Sequence, residues 1–299
     1  MPVEINSVED LDDIRLDLQS DYDLIKNLDF NDDDSYDNAA NKNDYITGSG
    51  WVPISGSTDM IFDGRGHTIT GLFINKTNSE SGAGLFGDKT GTGKLYIYNL
   101  GLVSVNISND INYTGADFVG NSAAFISSTL GNVENIVRII NCYVRGGNIS
   151  TTGFSEWRHM VSAGIVGHQL QNSQLIEKSY AAVELSVSNT SENTNDLKRG
   201  LTYGSFNHQD CFWDEDISTT AQSSSGTGKT TTEMKDIDTY TDTATVGLDE
   251  AWDFTNIWAI DSEINDGYPY FIPPPEWATV KVKLGGVFVE KPLKTLGVS

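Results

Sequence analysis

Only one stretch of the chain, near its start, has the hydrophobic spacing of an amphipathic helix. Leu11, Ile14 and Leu18 recur at helical intervals, and Ser7 precedes them as an N-cap with acidic residues in the first turn. The pattern predicts one helix over residues 7–19 and no further helix of useful length.

From residue 51 onward, short β-branched runs are separated by glycine and asparagine, which is typical of many short strands joined by tight turns. The strands repeat. A run of strand, turn residue and strand occurs at 97–102, 139–144 and 176–181, and more faintly at 209–213. Such repetition over a few tens of residues indicates a stacked architecture.

A small-residue phrase precedes these runs. It is found at 83–87 and 163–167, with a degenerate copy at 123–126. One such unit could not bury its apolar side alone, whereas stacked units make a continuous core. We therefore predict an all-β fold, a right-handed parallel β-helix (solenoid) with a short N-terminal capping helix and a C-terminal cap, and expect a distorted rung at 105–130.

Four parts are expected along the chain. Residues 1–48 would cap the first open edge, residues 49–213 would form the β-helix repeats, residues 214–275 would cap the other end, and residues 276–299 would be a β-hairpin tail for docking. Caps are expected because an uncovered strand edge invites aggregation.

Several phrases resemble one known family, the GLUG-repeat proteins. The opening phrases lie at 51–54, 62–69 and 71–74, and the phrases at 84–87 and 141–143 continue the likeness. Closing phrases follow at 211–214, 226–234, 252–254, 257–260 and 266–270. The resemblance, which covers about residues 3–271, implies β-helical modules of bacterial and archaeal surface proteins, adhesins and non-catalytic regions of surface peptidases.

The tail has a different pattern. Apolar residues alternate with period two around a Gly-Gly pair, which predicts a hairpin. It is also similar to short C-terminal tails of phage and archaeal-virus virion proteins. Both an ordinary terminal hairpin and a docking element fit this pattern. In the second case, the docking residues would be Val280, Val282, Leu284, Val287 and Val289.

Charge narrows the range of partners. With 42 Asp and Glu against 19 Lys and Arg, the formal net charge is −23, which disfavours binding to nucleic acid and to anionic membranes. No stretch approaches the roughly 20 apolar residues of a membrane span. The first residues lack the basic and apolar regions of a secretory signal, so we expect either a signal removed earlier or release within a virus particle.

No catalytic residue is predicted. The string at 226–230 lacks the earlier glycine of a P-loop, since Ser223 stands at that position. Asp63 and His67 flank glycines in a turn and are interpreted as structural. Cys142 and Cys211 fall at equivalent places of the repeat, and two rungs would separate them by about 10 Å, so we predict two free, buried thiols.

An acidic loop carries alternating oxygen ligands but lacks the glycine and the closing glutamate of an EF-hand. It is interpreted either as a solvated loop or as a structural calcium site, and no cofactor is required. The calcium ligands would be Asp29, Asn31, Asp33 and Ser35.

A polar insertion at 151–159 carries aromatic residues beside basic ones, which is typical of a contact loop. The alternative is that its aromatic rings fold back over the solenoid. The candidate ligand contacts are Phe154, Trp157, Arg158 and His159.

These patterns favour a non-enzymatic, acidic structural and binding protein, exposed on a virion as capsid decoration or fibre, or on a cell surface as an adhesin. Expected partners are further copies of the chain, other virion or envelope proteins, and a glycan receptor, without nucleic acid or membrane insertion. The alternative is a β-helical polysaccharide depolymerase or lyase acting on surface glycans. It is disfavoured because acidic residues concentrate at 29–37, 210–216 and 235–250, away from the middle strands.

Overall fold

Strands and tight turns make up most of the molecule. The computed structural model describes residues 1–79, 81–113, 121–129, 135–155, 159–169, 174–190, 196–204, 206–272, 279–284 and 287–292. Within these ranges the strands form four parallel sheets and two antiparallel pairs. The expectation of a strand-rich fold with parallel pairing is therefore confirmed.

The first sheet takes its strands in chain order. They are Val3–Ile5, Tyr22–Leu24, Met60–Asp63, Gly93–Tyr98, Asn135–Ile140, Leu175–Glu177 and Asn207–Gln209. Its register aligns Phe62 with Ile97, Ile97 with Ile139, and Ile139 with Ile176. All four side chains are buried, so the repeated strands supply one continuous apolar column.

The second sheet likewise adds its strands in the order of the chain. Its strands are Leu28–Asp29, Thr68–Thr70, Phe73–Ser79, Gly101–Tyr113, Tyr143–Ser155, Tyr180–Asn189, Phe212–Asp214 and Thr227–Lys229. Both Thr68–Thr70 and Phe73–Ser79 pair with the long strand Gly101–Tyr113. Each repeated unit thus adds one strand beside its predecessor.

Two smaller parallel sheets complete the stack. The third sheet contains Ile54–Gly56, Phe86–Lys89, Ile126–Thr129 and Val166–Gln169, and the fourth contains Ser122–Ala123, Met160–Ala163 and Asp196–Arg199. Ile126 pairs with both Phe86 and Val166. The degenerate small-residue phrase therefore keeps the register of its two better copies. The expected irregularity within 105–130 lies instead in the second sheet, where the pairing of Phe73–Ser79 with Gly101–Tyr113 shifts register between Asn109 and Ile111.

The second sheet is covered on both faces where its strands Tyr143–Ser155, Tyr180–Asn189 and Phe212–Asp214 begin, and successive side chains of a strand point in opposite directions. Val144 and Ala181 belong to the main core, whereas their neighbours Tyr143 and Tyr180 belong to a separate aromatic cluster. Residues 231–272 of the same chain cover that outer face. Trp252, Trp258 and Phe271 of this segment belong to the same aromatic cluster as Tyr143 and Tyr180. Trp258–Ala259 and Tyr270–Phe271 form an antiparallel pair there.

The segment predicted as a C-terminal cap contacts the second sheet both at its end and along its outer face. Thr227–Lys229 does extend the second sheet at its end, beside Phe212–Asp214. Most of the following segment instead lies along the outer face of that sheet, and Phe271 reaches the turn at Gly66, near the N-terminal strands. The reason is that the outward-facing side chains of Tyr143, Tyr180 and Phe212 form an aromatic column, which the C-terminal segment buries.

The predicted helix is shorter than expected. It spans Val8–Asp13 and continues as a 3-10 helix, Ile14–Leu16, while Ser7 caps it by accepting a hydrogen bond from the amide of Asp10. The expectation of a single helix was wrong. Further α-helices in the described residues are Lys42–Ile46, Glu215–Ser218, Thr231–Met234 and Asp238–Thr241, with 3-10 turns at Asp33–Ser35, Ala39–Asn41 and Asn265–Gly267. Each is too short to show a periodic apolar pattern.

The two cysteines lie where the repeat predicts. Tyr143 pairs with Tyr180, and Tyr180 with Phe212, so the preceding residues Cys142, Ser179 and Cys211 occupy equivalent positions of three successive repeats. Both thiols are free and buried. Burial raises the pKa of Cys142 far above that of an ordinary thiol and raises the pKa of Cys211 to about 12.

In the tail, Thr279–Leu284 and Val287–Pro292 form an antiparallel pair in which Val282 lies opposite Val289. Among the residues that the structure describes, no helix is long and apolar enough to cross a membrane.

Candidate ligand-binding groove

The predicted contact loop is only partly described. Phe154 lies on the strand Tyr143–Ser155, in register with Asn112, and is partly buried. The His159 ring lies 5.7 Å from that of Tyr203 in an edge-on contact. Trp157 and Arg158 lie outside the described residues, so the loop remains a prediction.

The predicted calcium ligands are close in space but make contacts within the protein. The Asp29 carboxylate accepts a hydrogen bond from the amide of Asn31, and the Ser35 hydroxyl accepts one from the amide of Asp29. Asp33 pairs with Lys42. Within the described ranges no group of three or more His, Cys, Asp or Glu side chains is arranged to hold a metal ion. Calcium here remains a prediction.

For the docking residues Val280, Val282, Leu284, Val287 and Val289 the structure gives the strand register, whereas their side chains lie outside the described part of the chain. Their docking role also remains a prediction.

The turn at Asp63 is built by hydrogen bonds between repeats. One Asp63 oxygen accepts from the amide of Arg65 and from the side-chain amide of Asn99, 36 residues later. Asn141 in turn donates to the side chain of Asn99. These contacts give Asp63 the structural role that its turn pattern predicts.

A groove lies between the outer face of the second sheet and the C-terminal segment, with a volume of about 480 Å³. Its floor has two columns of side chains. Thr68, Gly101 and Tyr143 are aligned in the first, and Thr70, Val103 and Arg145 in the second. Gly101 leaves room for its neighbour, since a Cβ there would lie 2.5 Å from Tyr143 Cζ.

Asn265 fixes the wall of this groove. Its Oδ1 accepts from Arg145 Nε at 2.9 Å, and its Nδ2 donates to the hydroxyl of Tyr180 at 2.9 Å and to the carbonyl of Pro269 at 2.8 Å. Arg145 also pairs with Asp266. Asn265 and Asp266 both have φ of 53°, a conformation that costs energy for residues other than glycine. The contacts hold this strained turn against the sheet.

Asn27 and His67 form the opposite rim. Asn27 Oδ1 accepts from the amide of Thr68 at 3.0 Å and lies 3.1 Å from His67 Nδ1. Because a carbonyl oxygen only accepts, Nδ1 is the protonated nitrogen, and Nε2 of the neutral ring is left as an acceptor. Burial and the charge of Arg65 lower the pKa of His67, which favours that neutral ring.

The remaining lining is apolar and partly open. Tyr270 and Ile264 line the wall, and Ile264 is 46% exposed. A second cavity of about 290 Å³ shares Gly66 and Phe271 with the groove and adds Asn99 and Asn256. No Asp or Glu is among the described residues that line either cavity. A wider cavity of about 670 Å³ nearby has the acidic lining typical of this chain's exterior.

Sequence reasoning missed this groove. The Thr68-Ile69-Thr70 alternation was a usable signal, because it places two hydroxyls on the face opposite the buried Ile69. Nothing in the sequence signalled that residues 264–271 would lie over those threonines.

The chain was also compared with known proteins. No protein-family model matches it, and no match was found among curated proteins or among solved structures.

Proposed function

We propose that this protein is a non-enzymatic scaffold and attachment element displayed on a virion or on a cell surface. In this proposal the parallel sheets wind as one right-handed parallel β-helix of the GLUG-repeat type, and the rigid stack presents its outer face and loops to a partner.

The observation that carries the proposal is the repeated register of the parallel sheets. Phe62, Ile97, Ile139 and Ile176 succeed one another in the first sheet, and Phe86, Ile126 and Val166 do so in the third. A chain that adds one strand to each sheet per repeat grows along one axis, as solenoids do. Extended, stacked proteins offer large side surfaces for binding.

The tail supplies the docking step of the proposal. Val282 and Val289 are paired across the antiparallel strands, and a two-stranded ribbon has outer edges whose backbone groups can pair with a strand of a partner. We expect the partner to be another copy of the chain or another virion or envelope protein.

Deleting residues 276–299 tests the docking step. We expect the truncated protein to keep its circular dichroism spectrum and its cooperative unfolding while losing incorporation into particles or envelopes. The matched control is a full-length variant in which Lys281 and Lys283, which lie in the same strand but outside the predicted docking set, are replaced by threonine, which keeps strand propensity; this variant should be incorporated like the parent protein. Full incorporation of the truncated protein would contradict the docking role.

The location is tested separately by fractionation. The proposal expects the protein to purify with virus particles or with cell envelopes, and recovery from the cytosol alone would contradict it. Incubation with capsular or cell-wall polysaccharide, with and without calcium, tests the depolymerase alternative, because that enzyme would release new reducing ends.

A further inference from the structure

We propose that the groove between the outer face of the second sheet and residues 264–271 binds a neutral oligosaccharide. This inference deepens the proposed function and rests on it, because it names the chemical class that the attachment element would recognise.

Polar groups suited to sugar hydroxyls are spaced over the groove floor and rim. The hydroxyls of Thr68 and Thr70 both donate and accept, and the neutral His67 accepts through Nε2. Arg145 uses Nε for Asn265 and one terminal nitrogen for Asp266, so its guanidinium has further N–H donors. A sugar ring needs this mixture of donors and acceptors, because each of its hydroxyls does both.

Apolar groups stand beside these polar ones. Tyr270 presents a partly exposed ring, Ile264 is 46% exposed, and Val103 lies between Thr70 and Arg145 on the floor. A pyranose ring has one face of C–H groups that packs against aromatic and aliphatic side chains, while its hydroxyls point outward. The groove offers both surfaces side by side.

Charge selects neutral sugars over charged ligands. The chain has a net charge of −23, yet no Asp or Glu is among the described lining residues, and the charge of Arg145 is balanced by Asp266. A strongly anionic ligand would be repelled by the surrounding field, and a cation would find no carboxylate on the lining. An uncharged, hydroxyl-rich ligand fits both conditions.

The groove is also preorganised. Asn265 is held by Arg145, Tyr180 and Pro269, so the wall is fixed relative to the sheet before any ligand arrives. The volume of about 480 Å³ lies in the usual range of small-ligand sites. The adjoining cavity that shares Gly66 and Phe271 would accept a further sugar unit, which favours an oligosaccharide over a monosaccharide.

The test is calorimetric titration of the purified full-length chain with defined oligosaccharides. The probes are linear hexamers of glucose, N-acetylglucosamine, mannose, xylose and galactose, with hexagalacturonate as the charged comparison. The double variant Thr68→Val/Thr70→Val removes both floor hydroxyls with little change of shape, and Ile264→Ser removes an exposed apolar contact. Thr77→Val is the matched control, since Thr77 is an exposed position of a strand in the same sheet but outside the groove.

We expect at least one neutral hexamer to bind. The double valine variant should weaken that binding about tenfold or more, because two hydrogen bonds are lost, while Thr77→Val leaves it unchanged. The inference is overturned if no neutral hexamer binds, if only hexagalacturonate binds, or if the double variant binds as tightly as the parent. These outcomes are independent of incorporation into particles, so the scaffold proposal is judged by its own experiments.

Discussion

At the scale of single residues, the turns between the first and second sheets depend on side chains that tolerate a left-handed backbone. Asn99, Asn141, Lys178 and Asp210 have φ of 50°, 51°, 44° and 55° and follow one another in register. Asparagine adopts this conformation more readily than most residues and adds a hydrogen bond to the rung beside it. The two asparagines therefore stabilise the turn in two separate ways.

Replacing Asn141 separates these two contributions. Asn141→Ala loses both the conformational preference and the bond to Asn99, and we expect the free energy of unfolding to fall by about 2 kcal/mol. Asn141→Gly keeps the backbone conformation and should lose only about 1 kcal/mol.

Urea unfolding measures both changes, with Asn112→Ala as the control at an exposed strand position, where a change within about 0.5 kcal/mol is expected. Equal losses for the alanine and glycine variants would show that the left-handed conformation contributes nothing.

At the scale of elements, the C-terminal segment is attached to the second sheet through an aromatic contact that includes several polar contacts. The rings of Tyr143 and Tyr180 stack at 5.1 Å between centroids, and Trp258 lies 4.6 Å from Phe271 in the same cluster. The buried hydroxyl of Tyr180 donates to the carbonyl of Pro269 at 2.7 Å and accepts from Asn265. This hydroxyl thus joins the sheet to the wall of the groove.

Tyr180→Phe tests that connection. We expect a loss of about 1–2 kcal/mol in the free energy of unfolding, because the Asn265 amide loses a buried partner while the ring packing remains. Tyr96→Phe is the matched control on a partly exposed ring of the first sheet, with an expected change within about 0.5 kcal/mol. If Tyr96→Phe lowered the free energy of unfolding by as much as Tyr180→Phe, the loss would reflect strand propensity and not the lost hydrogen bond.

The elements also show how far sequence reasoning reaches. The repeated strands, the small-residue phrase and the rung positions of Cys142 and Cys211 are local patterns, and the structure has them where the sequence predicts. The path of residues 231–272 depends on which strand face is left uncovered. Which face is uncovered depends on the outward-facing side chains of several strands that are far apart in the sequence, so no local pattern reveals it. The groove below this segment was missed for the same reason.

At the scale of the whole molecule, the two largest hydrophobic clusters of the described residues have different compositions. The main core is mostly aliphatic and joins side chains of the first, second and third sheets, while the outer cluster holds Tyr143, Tyr180, Tyr240 and Tyr268. Burial raises the pKa of all four phenols, most strongly for Tyr180 and Tyr240. The N-terminal region follows the same trend, since burial raises the pKa of Tyr45 to about 12.

The stability of the fold should therefore decrease at alkaline pH. A phenol whose pKa is higher in the folded state than the unfolded value of about 10 contributes its full stability below pH 10, and that stability is lost as the pH rises through the folded pKa. We expect absorbance at 295 nm to show a steep ionisation step of the buried phenols Tyr143, Tyr180, Tyr240 and Tyr268 well above pH 10. That step should coincide with loss of the circular dichroism signal, because the buried phenols ionise only as the aromatic cluster opens. One smooth titration near pH 10 with an unchanged spectrum would show that the C-terminal segment does not cover the second sheet in solution.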